Sequence, residues 1–173
     1  MSDELDPSPV APEAPAIDVG SSRRFDSLQQ EAYLNLWRTY DRLRMLEDEL
    51  FAQHDLTAQQ YNALRLLRGH RPDKLPTLAL ASRLVSHAPD ITRLLDKLER
   101  RGLVERERLA DNRRVVQVGI TPSGLSLLKQ LDAPVRQCHL KQLGHLSPEQ
   151  LATLTELLQL ARDVHEPEGD AWK

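Results

Sequence analysis

Apolar residues recur at helical spacing along most of this chain. Between about Phe25 and Gln53 they fall three or four residues apart, at Tyr33, Leu36, Tyr40, Leu43, Leu46 and Leu50. Leu34, Trp37 and Phe51 widen this stripe beyond one face. A helix with so wide an apolar surface has more to bury than one small core covers, which predicts a subunit partner. The alternative is a core helix of a monomer.

The next segment predicts two short helices. Thr57 and Gln60 have the spacing of a capping box, and apolar residues follow them as far as Leu67. The stretch 75–77 predicts a short extended piece that ends in a helix cap at Thr77. A brief helix from Leu78 to Val85 then leads into a loop at 86–88.

A third helix carries a mixed surface. Its apolar stripe consists of Ile91, Leu94, Leu95 and Leu98, and its opposite face carries Asp90, Arg93, Lys97 and Arg100. Pro89 suits the first helical position, and Gly102 suits the left-handed residue after the last turn. The helix is therefore predicted to stop sharply.

The hydrophobic period changes to two after Gly102. Val104, Arg106 and Arg108 alternate with two glutamates, and Val116 to Ile120 repeat the pattern, which predicts a two-stranded ribbon with its tip at 110–114. Helices followed by such a ribbon favour a winged helix-turn-helix. The alternative is an ordinary helix and hairpin with a solvated charged face.

Two further helices close the chain, one from Thr121-Pro122 to about Gly144 and one from the capping box at Ser147 to about Val164. The predicted fold is mainly α with a small β-wing, a winged helix-turn-helix flanked by N- and C-terminal dimerisation helices. The expected divisions are a disordered acidic, Pro-rich tail (1–24), the first dimerisation helix (25–55), the DNA-binding module (56–121), the C-terminal dimerisation helices (122–165) and a polar tail (166–173).

The charge is unevenly distributed. The whole chain has a net charge of −3, yet Thr57 to Pro122 holds thirteen Lys and Arg against seven Asp and Glu. This positive surplus coincides with the predicted module and favours a phosphate-bearing partner, double-stranded DNA. The sequence shows no signal pattern and no apolar run long enough to span a bilayer, so we expect a cytoplasmic protein with no membrane partner.

Three stretches together resemble the MarR family of bacterial transcription regulators. They are LTAQQYNALRLL, ITRLLDKLERRGLVER and ADNRRVVQVGITPSG, and the resemblance extends over roughly Phe25 to Val164. It implies a homodimeric winged-helix protein, often a repressor, that binds a pseudo-palindromic operator. It also implies frequent release by a small ligand or by oxidation of a cysteine.

The wing departs from the family pattern. The family usually places an acid nine residues before the threonine that opens the next helix and the groove-inserting arginine two residues after that acid. Counting back from Thr121 gives Asn112 and Arg114, whereas the direct D-x-R spelling gives Asp111 and Arg113. The register favours Arg114, and both arginines are kept as candidates for the minor groove.

The candidate DNA contacts follow from side-chain chemistry. The start of the third helix can contact the edges of bases in a major groove. The candidate residues there are His87, Asp90, Thr92 and Arg93. Arg93 can bridge guanine O6 and N7, and Asp90 can accept from cytosine N4 or serve as a first-turn acid favoured by the helix dipole. Phosphate contacts are expected from Arg83, Lys97, Arg106 and Arg108, while Thr57 and Thr77 are expected to be caps.

The sequence contains only weak signals for an effector-binding or redox-sensing site. The resemblance implies a ligand pocket between the dimerisation helices and the DNA-binding module. Trp37, Tyr40 and Arg44 are candidates to bind an aromatic acid-like effector there, although they suit dimer packing equally well. Cys138 lies in a leucine-rich helical register, which favours a buried structural thiol over a redox sensor. His139 and His145 are six residues apart, and no cluster has metal-ligand spacing, so neither a metal nor a cofactor is expected.

Two other classes of function fit the sequence less well. An enzyme is not expected, because the chain lacks a phosphate-binding loop, a nucleophile elbow and paired carboxylates in an apolar setting. A winged-helix module that binds another protein is the better rival to a DNA-binding regulator.

Overall fold

The computed structural model describes residues 25–85, 90–108 and 115–166. In this part of the chain the helices are α1 (Leu28–Ala52), α2 (Ala58–Gly69), α3 (Thr77–Ser82), α4 (Ile91–Arg100), α5 (Pro122–Leu143) and α6 (Pro148–Asp163). The strands are β1 (Leu75–Pro76), β2 (Val104–Arg108) and β3 (Val116–Ile120). The mainly helical fold with a small β-wing is confirmed.

The chain forms two compact units, Met1–Arg38 and Thr39–Lys173. In the first, the structure describes residues 25–38, which include the N-terminal part of α1, with Tyr33 and Trp37 in tilted contact at 6.2 Å between ring centroids. The second unit holds the hydrophobic core. Its fully buried side chains come from α2, α3, α4, β3 and α5, namely Leu64, Leu67, Leu80, Leu95, Leu98, Val118, Leu128 and Leu131.

Three predicted caps are present. Thr57 and Gln60 form the capping box of α2, Ser147 and Gln150 form that of α6, and Thr121 accepts from the backbone N–H of Gly124 at the start of α5. Each side chain satisfies a backbone donor that the first turn of a helix leaves without a partner. Short polar patterns therefore located these three helix starts correctly.

The start of α4 differs from the prediction. The helix begins at Ile91, and Asp90 is its N-cap, with Oδ1 accepting from the backbone N–H of Arg93 at 2.8 Å. An aspartate that accepts this bond replaces a helical partner for that N–H. The first helical residue of α4 is therefore Ile91, and Pro89, which was expected there, lies outside the described residues.

The region around α3 also needs correction. Thr77 does not cap the helix; it is the first residue of α3, and its hydroxyl donates to the carbonyl of Val116 at 3.1 Å. The helix ends at Ser82 instead of Val85, because the N–H groups of Arg83 and Leu84 bond three residues back and tighten the chain into a turn.

The sheet has three strands instead of the predicted two. Its order is β1-β3-β2, both pairings are antiparallel, and β1 adds only the pairs Leu75↔Val118 and Pro76↔Gln117. The hairpin itself has the predicted alternation, with Val104 and Val118 buried on one face. Gly102 adopts a φ of 66°, the left-handed conformation expected after α4.

Candidate nucleic-acid interface

Helix α4 divides its side chains between the core and the surface. Leu94, Leu95 and Leu98 are buried, whereas Thr92, Arg93, Lys97 and Arg100 are exposed. Arg93, Lys97 and Arg100 follow the i, i+4, i+7 spacing of one helix face. The apolar anchors thus fix the helix in the module while three cations form a row facing away from the core.

Asp90 stands at the beginning of this row. One of its carboxylate oxygens is engaged by the N-cap bond to Arg93, and the residue remains exposed. The negative charge there also interacts favourably with the positive end of the helix dipole. The structure thus gives Asp90 the capping role, and the base contact stays a prediction.

A shallow groove of about 290 Å³ lies beside the cationic row. It brings the start of α2 next to α4 and is lined by Thr57, Gln59, Gln60, Asp90, Arg93, Leu94 and Lys97. The N-terminus of α2 contributes the positive end of a helix dipole to a surface that already holds two cations. Anionic groups such as phosphates are therefore favoured along this edge.

The wing is positioned by strand pairing. The ladder runs from Val104↔Ile120 to Arg108↔Val116, so residues 109–115 connect the two strands. Four predicted wing residues, Asp111, Asn112, Arg113 and Arg114, lie in the part of this connection that is outside the described residues. His87 also lies outside them.

Arg106 links β2 to α4. Its guanidinium lies 2.6 Å from Asp96 and 2.5 Å from Glu99, and its side chain is only 25% exposed. The hydrogen bond from Arg106 holds the pKa of Glu99 below its ordinary range, and the same pairing raises the pKa of Arg106. The phosphate contact expected of Arg106 stays a prediction, and the structure adds a positioning role that the sequence did not indicate.

This pairing predicts a pH-dependent stability. A carboxyl whose pKa is lowered on folding stabilises the protein above its unfolded-state value, and that stabilisation is lost as the pH falls through the folded-state value. Replacing Arg106 with methionine should therefore lower the free energy of unfolding at pH 7 by about 1 kcal/mol, since the pair is partly solvated. Urea unfolding should show that the difference in unfolding free energy between the unmodified protein and the methionine variant disappears below about pH 4. A difference that is equal at both pH values would contradict the assignment.

The other predicted phosphate contacts are dispersed. Lys97 belongs to the cationic row, and Arg108 is exposed at the last residue of β2. Arg83 is half-exposed and is the C-cap that follows the last residue of α3. None of the three forms an ion pair within the described residues. Their roles at phosphates stay predictions.

Arg101 was missed by the sequence reasoning. Its guanidinium donates to the backbone carbonyls of His54, at 3.0 Å, and Asp55 in the turn after α1. Asp55 has a φ of 51°, and the N–H of Leu56 returns to the carbonyl of Phe51, as in a Schellman motif. Arg101 therefore ties the end of α4 to the end of α1. No spacing rule along one element could have revealed this contact.

A larger cavity of about 770 Å³ is lined by residues of α1, α2 and α5, and it shares Thr57 and Gln59 with the shallow groove. Two of the predicted effector residues, Tyr40 and Arg44, line it, together with the stacked rings of Phe51 and Tyr61. Arg44 pairs with Asp48 at 3.1 Å. Trp37, the third predicted residue, is exposed on α1 in the first unit.

Cys138 is buried, as the favoured interpretation expected. Burial, followed by the nearby charge of Glu47, raises the pKa of its thiol. Because the thiolate is the reactive form, this environment disfavours oxidation chemistry. Within the described residues no group of three His, Cys, Asp or Glu could hold a metal ion, and no helix combines the length and apolar character needed to cross a bilayer.

The chain is similar to known proteins. The model of the MarR family matches residues 56–116, which include α2, α3, α4 and β2. A MarR transcription factor from Planctomyces limnophilus is 58% identical over 79% of this chain and 99% of that chain, with a TM-score of 0.63.

Two further structures that match contain DNA. A mutant MarR from E. coli complexed with operator DNA is 25% identical, over 79% of this chain and 99% of that chain, with a TM-score of 0.68. The S. aureus MepR–DNA complex is 26% identical, over 76% of this chain and 97% of that chain, with a TM-score of 0.69.

Proposed function

This chain belongs to the MarR family of transcription regulators, and from this premise we propose that it binds double-stranded DNA sequence-specifically through α4 and the β2–β3 wing. The row formed by Arg93, Lys97 and Arg100 carries the proposal, because it projects from a helix whose other face is held by buried leucines. Such a helix can enter a major groove and offer its first turns to base edges. The E. coli and S. aureus complexes support the proposal from two relatives that bind DNA.

The proposed regulator acts as a homodimer. Helix α6 has no buried residue, and its apolar side chains Leu154, Leu157, Leu158 and Leu160 are all exposed. The first unit likewise exposes Tyr33, Leu36 and Trp37. Apolar surfaces of this extent favour a partner, and a second copy buries both at once. Sedimentation of the full chain should give about twice the mass of 19.7 kDa; a monomer at micromolar concentration would contradict the dimer.

The proposed dimer carries two DNA-binding modules, one for each half of an operator. In a two-fold symmetric dimer the recognition helices are expected to engage major grooves about one helical turn apart, so the operator is pseudo-palindromic. Repression follows when such an operator overlaps a promoter. We assign the cavity beside Tyr40 and Arg44 to a small aromatic acid, because it combines stacked rings with a guanidinium.

The wing supplies the minor-groove contact in this proposal. Replacing Arg114 or Arg113 with alanine should lower operator affinity by about 1–3 kcal/mol and relax a preference for narrow A·T-rich minor grooves. Fluorescence anisotropy with A·T and G·C flanks measures both effects. If neither variant changes the affinity, the wing assignment is wrong.

Selection from a random-sequence duplex pool tests the proposed function as a whole. The purified full-length protein should enrich one inverted-repeat sequence, and repeating the selection with aromatic acids present should reduce the recovery. A pool that stays unenriched after several rounds would contradict sequence-specific binding.

A further inference from the structure

Lys74 connects the segment before β1 to the far strand of the sheet. Its Nζ atom lies 2.9 Å from Oε1 of Glu105 and 2.8 Å from Oε2 of Glu107, both on β2. Because the strand order is β1-β3-β2, the lysine side chain must cross β3 to reach these carboxylates. A single ammonium group thus bridges two glutamates on the outer face of the wing.

Gly119 provides the path for this crossing. It lies on β3 opposite Glu105, and a Cβ atom there would stand 3.1 Å from Cγ and 3.3 Å from Cε of Lys74. The aliphatic part of the lysine is therefore packed directly over the glycine. The sheet accommodates the lysine at the position where a side chain would crowd it.

The pairing favours the charged forms of Lys74 and Glu107. Hydrogen bonds to Glu105 and then Glu107 raise the pKa of Lys74, and the bond from Lys74 lowers the pKa of Glu107. By formal charge, the two glutamates and the lysine sum to −1, and the glutamates without the lysine sum to −2. The glutamate side chains are 57% and 63% exposed, so their charge reaches the solvent.

The position of the glutamates makes this charge matter for DNA binding. Only Arg108 lies between Glu107 and the connection 109–115. In the proposed function, this connection enters a minor groove. Two residues of a β-strand span a distance comparable to the Debye length of about 8 Å at physiological salt, so the charge of Glu107 is only partly screened at the start of this connection. Unneutralised carboxylates here would repel the phosphates on either side of the groove.

We propose that Lys74 is a positioning residue for DNA binding that acts without touching DNA, by neutralising Glu105 and Glu107 on the strand that carries the wing. The inference rests on the proposed function, since it requires the wing to approach phosphates. It accounts for two of the seven acidic residues in a module with a positive surplus.

Replacing Lys74 with methionine tests the inference on the operator recovered by selection. Affinity should fall about three- to tenfold at low salt, with a smaller loss at high salt because the repulsion is screened. In the triple variant K74M/E105Q/E107Q the affinity should return to within about twofold of the unmodified protein. The double variant E105Q/E107Q is the background that isolates the effect of the lysine, and adding K74M to it should change the affinity by less than about twofold. A loss as large as the one K74M causes in the unmodified protein would overturn the inference, because a lysine that contacts phosphate directly loses that contact whether or not the glutamates are charged.

Two comparisons complete the experiment. Lys129→Met removes an equal charge from an exposed position on α5 that has no ion pair within the described residues, and it should leave the affinity nearly unchanged. An equal loss in K129M and K74M, or no loss in K74M, would also overturn the inference. If the unmodified protein binds no DNA, the proposed function fails, and the inference fails with it.

Discussion

Replacing Gly124 with alanine is expected to lower the free energy of unfolding by about 3 kcal/mol, at the upper end of overpacking effects. Gly124 lies in the first turn of α5, where a Cβ atom would stand 2.3 Å from the carbonyl oxygen of Leu103 and 2.8 Å from Cγ1 of Ile120. The Leu103 carbonyl cannot simply move away, because it accepts the backbone N–H of Thr121 at 3.1 Å. The clash must therefore displace α5 from the turn between α4 and β2.

Gly69 provides the matched control. It is the last residue of α2, and a Cβ there would meet nothing within 4 Å. Gly69→Ala should leave the stability unchanged or raise it slightly, because alanine restricts the unfolded chain more than glycine does. Urea unfolding of the two variants measures the difference. Equal stabilities would show that α5 does not pack on this turn as closely as described.

Replacing Arg93 with alanine should weaken operator recognition in the major groove. Its backbone N–H donates to the capping carboxylate of Asp90, a bond that the substitution keeps, while its guanidinium forms no ion pair within the described residues and lies on the exposed face. A guanidinium that contacts guanine contributes about 1–3 kcal/mol to binding, and its loss relaxes specificity at one base position. Affinity for the selected operator should fall accordingly while the unfolding midpoint stays constant.

Arg136→Ala is the control for Arg93→Ala. Arg136 is exposed on α5, so its removal changes the net charge by the same amount away from the cationic row. Anisotropy titrations at one salt concentration compare the two variants. If both bind the selected operator equally well, α4 is not the reading helix.

The sequence predicted best the features that are encoded within one element. Thr57 with Gln60 and Ser147 with Gln150 are bonded across three residues, and Gly102 is placed by its own backbone conformation. Such signals need no knowledge of distant parts of the chain. They located the starts of α2 and α6 and the end of α4.

The errors and omissions concern contacts between elements. Strand β1 contains only two residues, one of them Pro76, and is stabilised by its pairing with β3. The sequence gave no role to Arg101 or Lys74 and only a phosphate contact to Arg106, yet each is held by partners on another element. Spacing along the chain cannot identify such partners, because it carries no information on the register of distant segments.

The role of Asp90 was only partly predictable. The sequence suggested a base contact or a first-turn acid favoured by the helix dipole, with Pro89 at the first helical position. The bond from the Arg93 N–H shows that Asp90 is the N-cap of α4, and the base contact stays a prediction. The wing arginines and the domain boundaries stay predictions.

The most direct measurement of the central claim is the affinity of the full-length protein for its selected operator relative to a scrambled duplex of the same length and composition. Anisotropy at physiological salt should give a dissociation constant about a thousandfold lower for the operator, as expected of direct base recognition. Equal dissociation constants for the two duplexes would contradict the assignment of α4 and the wing to sequence-specific DNA recognition.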